Sequence, residues 1–425
     1  MHAGTPLTDG FGRVLAAEGI SNFGSMLSRL AIPWIATLSL DASPLAMGGL
    51  VVADVLAGAL GAVLLAGSVD RAGKRAVMLA CDVLRAAVLA ALALLAWQGR
   101  LSLTVLVTAA AANGMLTVGF EMARSAWVAQ RVEASRLPQR NAQLSMAGSL
   151  SETAAFALGG WVFQWTGAAI ALAIDAMSFA FSAGCLRGVP EAPPAVAGEV
   201  PGEVPGDEPA EAPVTALDRL IGDARAGLST VLAQPALRAL AAIEVLLALG
   251  GSLAATSYMI FVARDIGFST GSLGMIFASG GLGAVAGAAL TPWLGRRLGP
   301  GRAMAFGLAL AALGAACIPL VAASGWLGAA LLVTHQIIGD GGRTLHDVHD
   351  RTLRQTAAPA ALLARTDAGL RTAGQLATLV GAVAGGALAS SLGTRTSLWL
   401  SAALIASAAF VAAITLARRR WDQRG

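Results

Sequence analysis

What most constrains this chain is a succession of apolar stretches, about twelve of them, each close to the roughly 20 residues a helix needs to cross a bilayer core. They fall near 11–38, 44–68, 76–97, 101–130, 139–164, 166–187, 236–263, 270–294, 301–322, 326–349, 363–391 and 395–417, with short polar or glycine-proline breaks between them. Composition agrees, because 13% of residues are charged and 56% apolar, whereas a soluble domain averages about 25% charged. A mean hydropathy of +0.70, 51 glycines and one tyrosine suit helices that approach closely through small side chains. The expectation is an all-α membrane protein of twelve transmembrane helices. Glu18, Asn22 and Arg29 interrupt the first span and no small-residue cleavage site follows it, so it does not read as a cleavable signal peptide.

Several function classes fall away at once. Cys81, Cys185 and Cys317 lie far apart in separate apolar runs, which excludes a disulfide framework or paired zinc ligands. The net charge of +4 comes from bases clustered between apolar spans without interleaved aromatic residues, a pattern of membrane topology rather than nucleic-acid binding. Neither a Walker sequence nor a cofactor motif occurs, and no His-Asp, Ser-Lys or metal triad recurs at one depth. The expectation is therefore no enzyme, no cofactor and no resident metal. The irregular spacing of His346, Asp347, His349 and Asp350 also argues against a metal.

Between the sixth and seventh spans, residues 188–214 carry Glu191, Glu199, Glu203, Asp207, Glu208 and Glu211, many prolines and no base, the composition of a disordered linker. A segment around Leu217–Leu232 follows with apolar residues at helical spacing, read either as a surface helix or as a plain connector. The chain thus divides into 1–187, a linker region 188–235, and 236–425. With the N-terminus inside, the outer loops hold only Arg100, Arg264 and Arg395, while most other bases fall in inner loops. Both termini and the linker are then cytoplasmic.

The chain is also written twice. Gly385-Gly386 follows Gly159-Gly160 by 226 residues, and the same offset carries Glu18 to Glu244, Gly24 to Gly250, Arg71 to Arg297, Leu137 to Leu363 and Gly167 to Gly393. Two six-helix bundles in parallel repeat imply a cavity at their interface that opens alternately to either side.

Between the second and third spans, the run from Ala66 to Arg75, with Asp70, Arg71, Gly73, Lys74 and Arg75, resembles the loop signature of the major facilitator superfamily. In that family the signature's aspartate and bases latch the cytoplasmic ends of neighbouring helices, so the resemblance implies the family's fold and a gate at those five residues. The second-half copy has Arg296 where the aspartate would stand. Ile20 to Gly24, Asp82 with Arg85, and Thr352 to Gln355 resemble the bacterial branch of enterobactin and macrolide exporters. Ala155 to Gly160 lacks the proline of the family's antiporter signature, and Gly381 to Gly386 is nearer to it.

An ionised residue at a helix centre costs about 2.5–3.5 kcal/mol on insertion scales, so each needs a partner, a proton or water. Glu18, Asn22, Ser25 and Arg29 lie on one helical face, as do Asn113, Thr117, Glu121 and Arg124, with shorter stripes at Ser145, Ser149 and Glu152 and at Asp340, Arg343 and Asp347. In the family the first, fourth, seventh and tenth spans line the central cavity, which three of these stripes match. Glu18, Glu121 and Asp340 are candidate proton carriers, with Arg29, Arg124 and Arg343 as partners; static ion pairs are the alternative. Asp54 stands alone in the second span, Asp82 and Arg85 are placed to neutralise each other, and Glu152 could meet Asp175. The leading expectation is a monomeric secondary transporter exporting an amphipathic molecule in exchange for protons. Import of a small solute, or a non-transporting receptor or scaffold, stays open.

Overall fold

The computed structural model describes residues 10–191, 222, 229–357 and 363–416. Its helices are α1 (Phe11–Trp34), α2 (Pro44–Arg71), α3 (Lys74–Trp97), α4 (Leu103–Arg131), α7 (Pro235–Met259), α8 (Thr270–Leu298), α9 (Pro300–Cys317), α10 (Trp326–Ala357), α11 (Leu363–Leu392) and α12 (Thr394–Thr415). The stretch Leu137–Arg187 forms two more, α5 (137–166) and α6 (168–187), because Gly167 breaks it at φ +77°. Gly393 makes the same reversal between α11 and α12 at φ +86°. Only glycine enters that region without a Cβ penalty, which is why the same turn chemistry recurs in both halves.

The repeat holds element by element. Shifted by 226 residues, the start of α2 falls on that of α8, α3 on α9, α5 on α11 and α6 on α12. α1 ends in a π-helical turn at Ile35–Ser39 and α7 in one at Ile260–Asp265. Among the described residues, nine stretches are long and apolar enough to cross a membrane, one of them containing both α5 and α6. α1 and α10, which carry Glu18 with Arg29 and Asp340 with Arg343, are too polar to qualify alone. Such helices persist in a bilayer because neighbours cover their polar faces. The chain is a multi-pass membrane protein, and exposed Trp97, Trp165 and Trp326 sit at helix ends, the positions of an interfacial belt.

Close packing follows from glycine. α2 meets α4 where Gly61 lies against Met115, α8 meets α10 where Gly283 and Gly287 face backbone oxygens of Ile337 and Gly341, and α9 meets α10 through Gly307 and Gly342. Without interhelical hydrophobic gain in lipid, such backbone approach supplies the dispersion contacts.

One sequence expectation needs amendment. Residues 188–191 dock on the first bundle instead of beginning a disordered linker: Trp127 Nε1 donates to Pro190 O at 2.9 Å and Arg13 to Gly188 O. The Arg75 backbone N–H donates to Glu191 Oε1 at 3.0 Å. Glu191 therefore caps α3, whose own N-cap, Gly73, has no side chain to do so. The remainder of the acidic segment and most of Leu217–Leu232 lie outside the described residues, although Val231 is buried with Leu237 and Leu240.

Candidate functional site

The polar stripes divide between two cavities that share no lining residue. The first, about 310 Å³, lies wholly within the first half, where Glu18, Asn22 and Arg29 of α1, Asp54 of α2, Arg85 of α3, and Asn113 and Glu121 of α4 converge. Glu18 is held twice: Asn22 Nδ2 donates to its Oε1 at 3.3 Å, and Arg124 Nε lies 3.3 Å from its Oε2. Arg124 thus serves the carboxylate of the facing helix and not Glu121 on its own. Asp54 is seated against α4 at Gly114, where a Cβ would come within 3.0 Å of its Oδ1.

Arg85 links this cavity to a buried network. It donates to Asp82 and, at 3.3 Å, to Thr117 Oγ1, and its guanidinium lies over the rings of Phe179 and Phe120 at 4.1 and 4.8 Å. Ser182 Oγ donates to Asp82 at 2.5 Å. Low dielectric makes such a pair costly to break, and the aromatic faces add cation–π attraction. The expected meeting of Glu152 and Asp175 does not occur. Asp175 accepts from Ser28 and Ser178 in the first bundle, with Gly24 of α1 packed against it, whereas Glu152 turns to the second cavity.

That second cavity, about 840 Å³, lies between the halves. α5 contributes Glu152 and Phe156, α7 Tyr258, α8 Phe277, and α10 Asp340 and Arg343. At one end it is sealed. Gly160 of α5 abuts Gly274 of α8, where an added Cβ would lie 2.9 Å from the facing Cα; the equivalent pair, 226 residues on, sets Gly386 of α11 against Leu45 of α2, again at 2.8 Å. Gly48 completes the second seam, since its Cβ would lie 2.5 Å from Ala382 O. Arg264 Nη1 crosses the halves there to Asp41 at 2.6 Å, and Gly271 N donates to Gln164 Oε1 at 2.9 Å. Toward the other end Glu152, Thr153, Arg343 and Asp347 are exposed, so the cavity is open on that side.

A sequence profile of the Major Facilitator Superfamily matches residues 14–342 of the 425. The chain belongs to the Major Facilitator Superfamily. Among solved structures this superfamily member superposes on the nucleoside transporter NupG at 13% identity, with a TM-score of 0.71, covering 97% of this chain and 100% of that one. It also superposes on a bacterial metal transporter (16%, TM-score 0.70, 98% and 100%) and on a bacterial homologue of the iron transporter ferroportin in an inward-facing state (18%, TM-score 0.69, 98% and 100%). At these identities the likeness shows the fold alone. Comparison with curated protein sequences finds no match.

Within this major facilitator, several site expectations change. The stripes of α1 and α4 do not share the inter-half cavity with Asp340, Arg343 and Glu152, because α1 presents Leu30 and not Glu18 or Arg29 there. Neither Arg29 nor Arg343 has a carboxylate within 4.0 Å among the described residues, so the partnership expected for them is not formed in this conformer. Arg343 instead borders a third cavity of about 520 Å³ with Glu244, Asp350, Arg354 and Arg371. There Arg354 pairs with Asp350 at 2.7 Å and Glu244 at 3.2 Å, so an α7–α10 ion pair answers the α1–α4 pair of Glu18 and Arg124. In the loop signature, Gly73 packs against the Glu191 carboxylate and Lys74 is buried, while the side chains of Asp70 and Arg71 lie outside the described residues. Sequence reasoning missed Phe156, Tyr258, Phe277 and Gln336; the one available signal was Tyr258, the only tyrosine in the chain.

Proposed function

We propose that this protein is a secondary active transporter of the bacterial inner membrane that exports an amphipathic small molecule by alternating access, with protons as the coupling ion. The observation that carries the reading is the cavity between the halves, closed at one end by two glycine seams and open at the other. Arg71, Lys74, Arg75, Arg131, Arg296, Arg297, Arg302, Arg351 and Arg354 cluster at the helix ends on the open side, which the positive-inside rule makes cytoplasmic. The conformer is then inward-facing, the state in which an exporter loads. The resemblance to the enterobactin and macrolide exporters supports the same direction.

The seal combines the glycine backbone contacts and the Gly271–Gln164 hydrogen bond with an apolar cluster that sets Trp34 among Phe261 and Phe268, and with one largely exposed ion pair, Arg264 with Asp41, a class of pair worth about 0–1 kcal/mol. Two conformers of similar free energy are what a transported ligand needs in order to shift the population. Proton coupling is assigned to the first-half cavity: Glu18, Asp54 and Glu121 line it, and Arg124 and Asn22 both contact the Glu18 carboxylate in this conformer. Loss of the Arg124 contact in the opposite conformer would favour the protonated acid. Asp70, Arg71, Gly73, Lys74 and Arg75 form the cytoplasmic gate by resemblance. The chain works as a monomer in the lipid bilayer. Expression in a sensitive bacterial host should lower accumulation of an amphipathic fluorescent dye, and a protonophore should abolish the effect; unchanged accumulation across a broad dye panel would overturn export.

A further inference from the structure

We propose that the cavity between the halves selects organic cations: a protonated amine or quaternary ammonium head on an aromatic or otherwise apolar body. This rests on the transport reading for its purpose, though not for its geometry. Charge is the first ground. Glu152, Asp340 and Asp347 line the cavity against a single guanidinium, Arg343. Asp347 is engaged by His346, whose Nδ1 lies 2.9 Å from its Oδ1, and Arg343 also borders the neighbouring cavity with Asp347 and Asp350. Glu152 and Asp340, one from each half, have no ion pair within 4.0 Å among the described residues. Carboxylates that outnumber the one base of a cleft with low-dielectric walls focus a negative potential into it.

Shape is the second ground. Phe277 stands at the centre of an aromatic wall, 6.2 Å from Phe156 edge-on and 5.9 Å from Tyr258 between centroids. The Tyr258 hydroxyl is buried without a hydrogen-bond partner. One turn along α8 from Phe277, the Asp340 carboxylate is seated in a notch that exists because residue 280 is glycine; a Cβ there would collide with its Oδ2. An ammonium between Glu152 and Asp340 meets both charges while its body lies on the rings, where cation–π attraction adds to burial. A volume of about 840 Å³ suits a drug-sized molecule and not a bare metal ion. No group of His, Cys, Asp or Glu among the described residues could hold a metal. With one base in the wall, an anion would face net repulsion.

The test measures binding of tetraphenylphosphonium to the purified full-length protein, with tetraphenylborate as the anion of the same shape. The cation should bind and the borate should fail to displace it. Asp340→Asn and Glu152→Gln should each weaken binding by about tenfold or more, as expected for removing one member of a partly desolvated charge contact. Phe277→Leu should weaken it several-fold. Should Asp340→Asn fail to purify as a monodisperse species, Glu152→Gln carries the same test from an exposed position. Equal binding of the borate, or unchanged affinity in folded carboxylate variants, would overturn the inference. Counterflow in vesicles separates it from the transport reading. Acid-dependent binding without exchange would sink transport and keep the site, whereas carboxylate-independent exchange of a neutral solute would keep transport and sink the cation site.

Discussion

Glu18 and Asp82 show how two buried acids in one bundle come to different ends. Asp82 receives Arg85 and Ser182, and Arg85 is in turn packed against Phe120 and Phe179, so each charge in that network has a buried partner. Asp82→Ala should leave a buried guanidinium unpaired and cost about 3–5 kcal/mol, read as a large drop in unfolding temperature in detergent; a shift of a degree or two would show that the pair is dispensable. Glu18 instead borders a cavity, and its partners come from a turn away on α1 and from another helix. Glu18→Gln should flatten the pH dependence of transport while leaving expression close to wild type. A wild-type pH profile in proteoliposomes would make the Glu18–Arg124 pair purely structural.

At the scale of elements, the seams at Gly160/Gly274 and Gly48/Gly386 decide which face of the protein is closed. Each brings two helices from opposite halves to backbone contact, and any side chain there must push them apart. Gly160→Leu combined with Gly386→Leu should therefore favour opening of that end. Spin labels at Ser43 and Gly267, both exposed beside the closed end, should report a longer and broader distance distribution than in the wild-type background. An unchanged distribution would mean that the seams tolerate bulk and do not control closure. Gly160 and Gly386 were visible in the sequence as repeat partners, yet their spacing could not tell which helix each would meet.

For the whole molecule, the 226-residue offset places matching turns, π-helical ends and seams in both halves, while the chemistry they carry diverges. The first half gathers its acids around an internal cavity; the second contributes Asp340, Tyr258 and Phe277 to the shared one. On the proposed function, coupling and substrate binding are spatially separate, which gives a prediction at this scale. Asp54→Asn should reduce proton-driven transport in vesicles with an imposed pH gradient but leave downhill exchange of a bound solute largely intact. Equal loss of both activities would show that the two cavities act as one site.

The sequence by itself determined the membrane class, the approximate spans, the internal repeat and the polar stripes, because hydrophobic period and length are local properties that a bilayer enforces without reference to partners. It also identified Glu18, Asn22, Asp54, Asn113 and Glu121 as polar residues inside apolar spans, and these converge on one pocket. Only the tertiary structure decided who faces whom: that Arg124 reaches Glu18, that Asp175 belongs to Ser28, that Glu191 caps α3, and that Glu152 meets the cavity of Asp340. Helical spacing fixes the face on which a side chain lies, but the rotation and crossing of each helix come from backbone packing at glycines scattered over the whole chain.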